Sequence, residues 1–392
     1  MFFASIIPLF LGGSAAPTPL YPHYRDAWGF SPITITVIFA VYAIVVLVTL
    51  LFLGALSDRI GRKPVLLVSA LLQIVAMILF ATAGGVGALI AARVVQGISA
   101  GAATGAAGAA LLDVDRERGT VANAVAPTLG TALGGIVSGL MVAYLPAPSV
   151  LVYVVFGFVF VLQTIGLALV DETSTPRAPF TLASLRPSFV VPEAARAPLL
   201  RALPAIVAAW SVPGFFGSLG PLLVRHIVGT SSPLPTSLSG GLALFVMAGS
   251  ATVGVLASRT RPSHLAMQAG ALALAIGAAM IWLSIVATSA TIFFVGCVIA
   301  GLGFGATFQG AVRSIVMVAK EHERAGVLSV LYVVAYLALG VPAVLGGIGA
   351  VYGGGLVLTG EVFTLLVAAL AALAFVGSLR RPVTHLGASP NP

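Results

Sequence analysis

Residues 33–56 read ITITVIFAVYAIVVLVTLLFLGAL and contain no charged side chain. A helix needs about 20 predominantly apolar residues to cross the hydrocarbon core of a bilayer, and this stretch is long enough to do so. A strand of an outer-membrane barrel would alternate apolar and polar residues, whereas this stretch is apolar on every face. It therefore predicts a transmembrane α-helix.

The same composition extends over the whole chain of 392 residues, which is 59% hydrophobic and 8% charged, with a mean hydropathy of +1.12. Soluble domains carry about 25% charged residues, so the composition excludes a water-soluble enzyme. Apolar windows bounded by charges or by Pro and Gly clusters predict twelve spans. They lie near residues 2–20, 32–56, 64–84, 87–112, 119–143, 149–170, 203–224, 239–257, 264–286, 290–317, 326–349 and 355–378.

The positive charges separate cleanly on this map of twelve helices. Lys and Arg side chains fall on one side of the membrane, apart from Arg25 and Arg225 on the other side and Arg93 and Arg313 within helices. Because positively charged loops stay in the cytoplasm, both termini are predicted to be cytoplasmic, in a bacterial inner membrane. The net charge of +8 is thus explained by the membrane topology and does not indicate a nucleic-acid partner.

The chain also contains a degenerate duplication. GALSDRIGRKP at 54–64 matches GVLASRTRP at 254–262, and DRERG at 115–119 matches EHERAG at 321–326. Parallel repeats of this kind are a transporter architecture, with the substrate site between the halves. The prediction is an N-terminal six-helix bundle (1–170), a cytoplasmic linker (171–202), a C-terminal six-helix bundle (203–379) and a cytoplasmic tail (380–392).

The loop after the second helix carries the most specific motif. GALSDRIGRKPVL at 54–66 resembles the signature loop of the major facilitator superfamily, matching it at Gly54, Leu56, Asp58, Arg59, Gly61, Arg62, Lys63 and Pro64. The resemblance implies a conformational latch on the cytoplasmic side, with Asp58 facing the positive N-terminal end of helix 11. The alternative is a merely basic loop that sets topology, which would need neither the Asp nor the glycines.

Helix 4 opens with LIAARVVQGISAG at 89–101, which resembles the second motif of that family, with Arg93 and Gln96 at its Arg and Gln positions. A guanidinium inside a membrane span is costly unless it faces the bundle interior, so Arg93 is a candidate for coupling or substrate binding. The alternative is that Arg93 reaches up to the outer interface.

Helix 5 contains APTLGTALGGIVSG at 126–139, which partly resembles the antiporter motif of the family at Gly130, Gly134 and Gly135. The departures are Thr131, where the family has Pro, and Ala126, where it has Gly. Judged from the residues alone, small side chains at four-residue spacing indicate close helix packing.

Carboxylates for proton coupling are scarce inside the membrane. The candidates are Asp26, just beyond the outer end of helix 1, and Glu361 in helix 12. Asp26 beside Arg25 is equally compatible with a solvated ion pair, and Arg313 with either a cavity wall or the interface. The candidates for the cavity wall, with core packing as the alternative, are Trp210, Phe215, Phe216 and Gln309.

These features favour a secondary active transporter that works by alternating access. The chain has no Walker sequence, its histidines are scattered and Cys297 is its single cysteine, so no cofactor or metal is expected. Two intramembrane arginines against one carboxylate favour proton-coupled efflux of small lipophilic neutral or anionic compounds by a monomer. Uptake of a metabolite or sugar is the alternative, and no pore-lining pattern or catalytic constellation favours a channel or a multipass enzyme. The apolar residues begin directly after Met1, so a start codon further upstream is an open alternative.

Overall fold

The computed structural model describes residues 2–174, 186–187, 189–229, 235–320 and 323–379. Over these residues the chain is helical, without a β-strand, and twelve helices are long and apolar enough to cross a membrane. The predicted all-α, twelve-span membrane fold is confirmed. The predicted tail (380–392) and residues 175–185 and 188 of the predicted linker lie outside the described part.

The N-terminal half begins with a span that is built from two helices joined by a 3₁₀ turn at Thr18–Leu20. Its helices are α1 (Phe3–Ala15), α2 (Tyr21–Trp28), α3 (Pro32–Leu53), α4 (Ser57–Ile60), α5 (Arg62–Ala81), α6 (Val86–Val114), α7 (Arg116–Tyr144) and α8 (Pro148–Leu169). The helices of the C-terminal half are α9 (Glu193–Ser218), α10 (Gly220–Val228), α11 (Thr236–Ser258), α12 (Ser263–Val286), α13 (Ala290–Val316), α14 (Arg324–Tyr352) and α15 (Leu356–Leu379).

Two helix bounds differ from the prediction. The first span runs from Phe3 to Trp28 instead of ending near residue 20, because the chain returns to a helix after the turn at Pro17 and Pro19. Asp26 therefore lies within α2 and not beyond the helix. The helix α9 begins at Glu193 instead of 203, since its first turns carry charges and so escape a search for apolar windows.

The packing repeats between the two halves. The pairs α1–α7, α3–α6 and α5–α8 of the N-terminal half correspond to α9–α14, α11–α13 and α12–α15 of the C-terminal half. The halves meet along two seams, α7 with α11 and α3 with α14, which are related by the same correspondence. The sequence duplication is thus expressed as a structural repeat.

The two ends of the molecule differ in how closely the halves approach. We call the end with the α3–α5, α6–α7 and α11–α12 connections the basic end. At the opposite end a Cβ on Gly241 would lie 2.9 Å from Gly139 Cα across the seam, and Thr18 Oγ1 donates to Gly217 O at 3.3 Å. At the basic end a cavity of about 380 Å³ lies between α7 and α11, lined by Glu117 and Arg259 among others. The halves are in contact at the opposite end and separated along this seam at the basic end.

Candidate functional site

Arg93 lies in the interior of the N-terminal half, with 1% of its surface exposed. Its Nη1 donates to Ser14 O at 2.9 Å and to Gln96 Oε1 at 2.6 Å, and its Nη2 donates to the hydroxyl of Tyr21. Gln96, three residues further along α6 and so on the same face, donates from Nε2 to Gly13 O at 3.1 Å. The motif therefore ties α6 to α1 and α2, and Arg93 does not reach out to the interface.

Aromatic rings surround the Arg93 guanidinium. Its Cζ lies 5.8 Å from the ring centroid of Tyr21, 5.2 Å from that of Tyr42 and 5.6 Å from that of Phe80. Ring faces attract a cation, more strongly where water is excluded. Among the described residues no carboxylate forms an ion pair with Arg93. In the part of the chain that the structure describes, carbonyl, amide, phenol and ring contacts stabilise the positive charge.

Two further amides, which sequence reasoning missed, are buried in the same half. Gln73 of α5 and Gln163 of α8 are 0% and 4% exposed, and within the described part of the chain neither amide has a hydrogen-bond partner on its oxygen or its nitrogen. Gln73 Nε2 lies 3.1 Å from the position that a Cβ on Gly13 would take, so it adjoins the backbone that Gln96 binds. Arg93 Nε also lacks a partner. The polar site thus has unused hydrogen-bonding capacity.

Among the described residues, neither candidate carboxylate forms an ion pair with Arg93. Asp26 Oδ2 accepts from Arg225 Nη1 of the other half at 2.9 Å, so its ion-pair partner is not the neighbouring Arg25. Glu361 lies on α15, which packs on α12 and α9 inside the C-terminal half. In the described part of the chain, Arg93, Asp26 and Glu361 thus form no ion pairs with one another.

The signature loop is organised around Arg62, which is 4% exposed. Arg62 Nη1 lies 2.6 Å from Asp58 Oδ1 and donates to Ser57 Oγ at 2.7 Å, and its Nε donates to Asp113 Oδ2 at 3.1 Å. Asp58 is paired within its own half, and among the described residues it shows no hydrogen bond or ion pair with the start of helix 11. Its carboxylate nevertheless remains 42% exposed.

The beginning of the linker is attached to the same loop. Glu172 accepts hydrogen bonds at 2.9 Å from the backbone N–H groups of Arg62 and Lys63, the first residues of α5, and Lys63 Nζ donates to Ala168 O at 2.8 Å. A carboxylate is favourable at the positive N-terminus of a helix. Gly61 takes a φ of 99°, which favours glycine, and so allows the loop to bring both N–H groups to Glu172.

The helix 5 glycines lie in two different contacts. Gly130 and Gly134 of α7 pack against the backbone of α1 at Pro8 and Gly12. Gly135 faces the other half, where a Cβ on it would lie 2.9 Å from Leu244 Cδ2. The motif therefore serves close packing both within its half and across the seam.

The candidate residues for the cavity wall separate into two groups. Trp210 is partly buried, and its ring lies 6.1, 5.2 and 5.4 Å from those of Phe304, Phe308 and Tyr336. Gln309 is half-buried beside Phe308 on α13. In contrast, Phe215 is fully buried and stacks on Phe363 at 4.0 Å, and Phe216 is 5% exposed, so both belong to the packed core. We call the surface formed by Trp210, Phe304, Phe308 and Tyr336 the aromatic surface. Of these rings, Trp210 was identified from the sequence and the other three were missed.

Arg313 does not belong to that surface. Its Nη1 donates to Ser258 O and Arg259 O at 3.1 and 2.9 Å, and its Nη2 donates to Arg261 O at 3.0 Å. It therefore caps the carbonyl end of α11, where a positive charge is favourable.

Comparison with known proteins identifies related sequences and folds. A family model described as Major Facilitator Superfamily matches residues 2–341. The chain is 37% identical over 106 residues to the multidrug resistance protein MdtL of Shewanella sp. (strain ANA-3), covering 26% of this chain and 27% of that protein. It is 34% identical over 157 residues to the tetracycline resistance protein, class C, of Escherichia coli, covering 38% and 39%. The matched segments thus span less than half of these curated relatives.

Solved structures share the whole fold. A bacterial homologue of the human lysosomal transporter Spinster, in an inward-facing and unoccupied conformation, superposes with a TM-score of 0.75 at 15% identity over 96% of both chains. The human organic anion transporter MFSD10 gives 0.66 at 17% identity over 96% and 97%. With twelve helices among its described residues that are long and apolar enough to cross a membrane, and with bacterial relatives named for drug resistance, this chain is a multi-pass protein of the inner membrane.

Proposed function

The chain belongs to the major facilitator superfamily, and from that premise we propose that it exports small lipophilic neutral or anionic compounds by alternating access in exchange for protons. The observation that carries the substrate class is Arg93, a buried guanidinium with no carboxylate partner among the described residues. A positive interior repels a lipophilic cation and attracts an anion or the negative end of a dipole.

The aromatic surface around Trp210 supports the lipophilic part of this proposal. Its rings come from α9, α13 and α14, and Tyr336 also packs with Tyr42 and Val46 of the N-terminal half. Ligand sites are mostly apolar and aromatic with a few polar groups that fix orientation. The ring of Tyr42 also contacts the Arg93 guanidinium, so Tyr42 links the cationic site to the aromatic surface.

The contacts between the halves support an alternating-access cycle. With the basic end and both termini assigned to the cytoplasm by the positive-inside rule, the described conformation is closed on the outer side. We assign the signature loop the role of a latch in the opposite state, in which the exposed Asp58 carboxylate meets the positive N-terminus of α14. The Arg62 network would then hold the loop in the shape that presents Asp58.

Two carboxylates remain candidates for the proton. Asp26 joins the halves through Arg225, so protonation of Asp26 would remove one contact that closes the outer side. Glu361 lies half-buried in α15, one of the twelve spans. The variants Asp26→Asn and Glu361→Gln test which carboxylate couples transport to the movement of protons.

The decisive experiment is transport in inverted vesicles against a panel of anionic, neutral and cationic lipophilic compounds, with substrate binding measured in parallel. We expect uptake driven by an imposed pH gradient, and Arg93→Lys should weaken binding of anions by at least tenfold because Lys lacks the planar fork. Arg313→Lys is the matched control, since Arg313 caps a helix outside this site. Normal binding and transport by both variants would contradict the assignment of Arg93, and accumulation only in right-side-out vesicles would favour an uptake permease instead.

A further inference from the structure

A second cavity lies on the outside of the C-terminal half, away from the site described above. It has a volume of about 390 Å³ and runs between α11 and α12 over a floor formed by Leu302 and Ala306 of α13. Its walls are mainly Ala and Gly, which leave a groove where larger side chains would fill the space. Among the residues that line it, Arg261 is the one with a charged side chain.

The groove faces the lipid. Ala257 and Ala269 in its walls are exposed, and large apolar side chains of α12 are exposed as well, at 47% for Leu265 and 43% for Leu272. Its lining residues on α12 run from Leu265 to Ala273, about 12 Å along the helix. This is most of the roughly 15 Å depth of one leaflet of the hydrocarbon core.

The mouth of the groove is positively charged and held in place. Arg313 binds the carbonyl oxygens of Ser258, Arg259 and Arg261, and so fixes the turn from which the Arg261 side chain extends. Within the described residues no carboxylate forms an ion pair with Arg261. An apolar groove that spans most of one leaflet and has a fixed cationic mouth is complementary to one chemical class, a lipid with an acyl chain and an anionic head group.

We propose that this groove binds an anionic phospholipid of the leaflet at the basic end, with one acyl chain between α11 and α12 and the phosphate at Arg261. Basic pockets between transmembrane helices on the cytoplasmic side bind anionic head groups in this way. The acyl chain fills space in which water is energetically unfavourable, because the walls offer a water molecule few hydrogen-bond partners. Because α11 also forms the seam with α7, the lipid is bound to a helix of the inter-half contact.

The proposal is tested on the full chain in nanodiscs of phosphatidylcholine with or without phosphatidylglycerol, by thermal unfolding and by native mass spectrometry of retained lipid. We expect phosphatidylglycerol to raise the unfolding temperature and to remain bound. Arg261→Gln should weaken its binding by about fivefold, as expected for loss of one interfacial cation. Ala269→Leu should fill the groove and displace the lipid while the protein stays folded, because Ala269 is exposed.

Two matched variants serve as controls. Arg201→Gln removes an exposed arginine of α9, and Ala372→Leu enlarges an exposed alanine of α15, both outside the groove. Each should retain the lipid as the parent chain does. Equal retention of phosphatidylglycerol and phosphatidylcholine by the parent, or unchanged retention in Arg261→Gln and Ala269→Leu, would overturn the proposal.

Discussion

Buried amides in the N-terminal half differ sharply in how they are satisfied. Gln96 donates to Gly13 O and accepts from Arg93, whereas the amides of Gln73 and Gln163 are buried without a partner. A buried polar group without a hydrogen bond destabilises the fold by about 1–3 kcal/mol. Such groups persist where they have a function, so Gln73 beside the Arg93 site is a candidate for a contact made only in another conformation or with substrate.

Replacement of the unpartnered amides should therefore stabilise the protein. Gln73→Leu and Gln163→Leu are expected to raise the free energy of unfolding by about 1–3 kcal/mol each, measured by thermal unfolding in detergent. Gln96→Leu is the control and should lower the unfolding temperature, because it removes the donor to Gly13 O and one of the acceptors of Arg93 Nη1. If Gln73→Leu were as destabilising as Gln96→Leu, bound water would already satisfy Gln73.

At the scale of helices, glycine determines which pairs come close. The helix α7 approaches α1 where Gly134 faces Gly12, and α3 approaches α6 where a Cβ on Gly105 would lie 3.3 Å from Gly54 O. In lipid, where association depends on packing rather than on hydrophobic burial, such contacts hold helices together. Gly54 of the signature loop thus lies at a close approach of two helices.

Gly134→Ala should destabilise the N-terminal half. Its Cβ would overlap the backbone of Gly12, which cannot rotate away as a side chain can, so a loss of about 1–3 kcal/mol is expected. Gly377→Ala is the matched control on α15, where a Cβ meets nothing within 4 Å. The expression level and the unfolding temperature are measured for both variants. An unchanged unfolding temperature for Gly134→Ala would contradict the close packing of α1 and α7.

At the scale of the whole molecule, the two halves close one end of the protein through few polar contacts. Among the described residues Asp26 and Arg225 form the one ion pair between the halves. Their side chains are 60% and 51% exposed, and such pairs contribute about 0.2–1 kcal/mol. A contribution of this size biases a conformational equilibrium without locking it, as a transport cycle requires.

Charge reversal at either position should open this end, and exchange of the two charges should close it again. Thr18→Cys, in a Cys297→Ser background, reports opening by its rate of labelling, since Thr18 is 3% exposed at the contact with Gly217. Asp26→Arg and Arg225→Asp should each raise that rate up to about fivefold, and the double variant should restore it. Labelling of the double variant as fast as that of the single variants would show that the pair does not hold the end closed.

The sequence by itself determined the number of spans, the duplication and the class of fold. These follow from local properties, because a helix must be apolar over the thickness of the bilayer and must satisfy its own backbone. Placement of Arg93 in the interior followed in the same way, since the cost of a charge in lipid leaves few alternatives. The first span and α9 were predicted with wrong bounds because a Pro-rich turn and a charged helix end hide helical structure from a search for apolar windows.

Only the tertiary structure decided which residues meet. Asp26 pairs with Arg225 from 199 positions away instead of with its neighbour Arg25. Asp58 pairs with Arg62 in this conformation, and Phe215 turns to Phe363 in the core while Trp210 joins the partly exposed rings. Each outcome depends on which helices become neighbours, and in helices that are apolar on most faces the sequence pattern does not specify which face meets which.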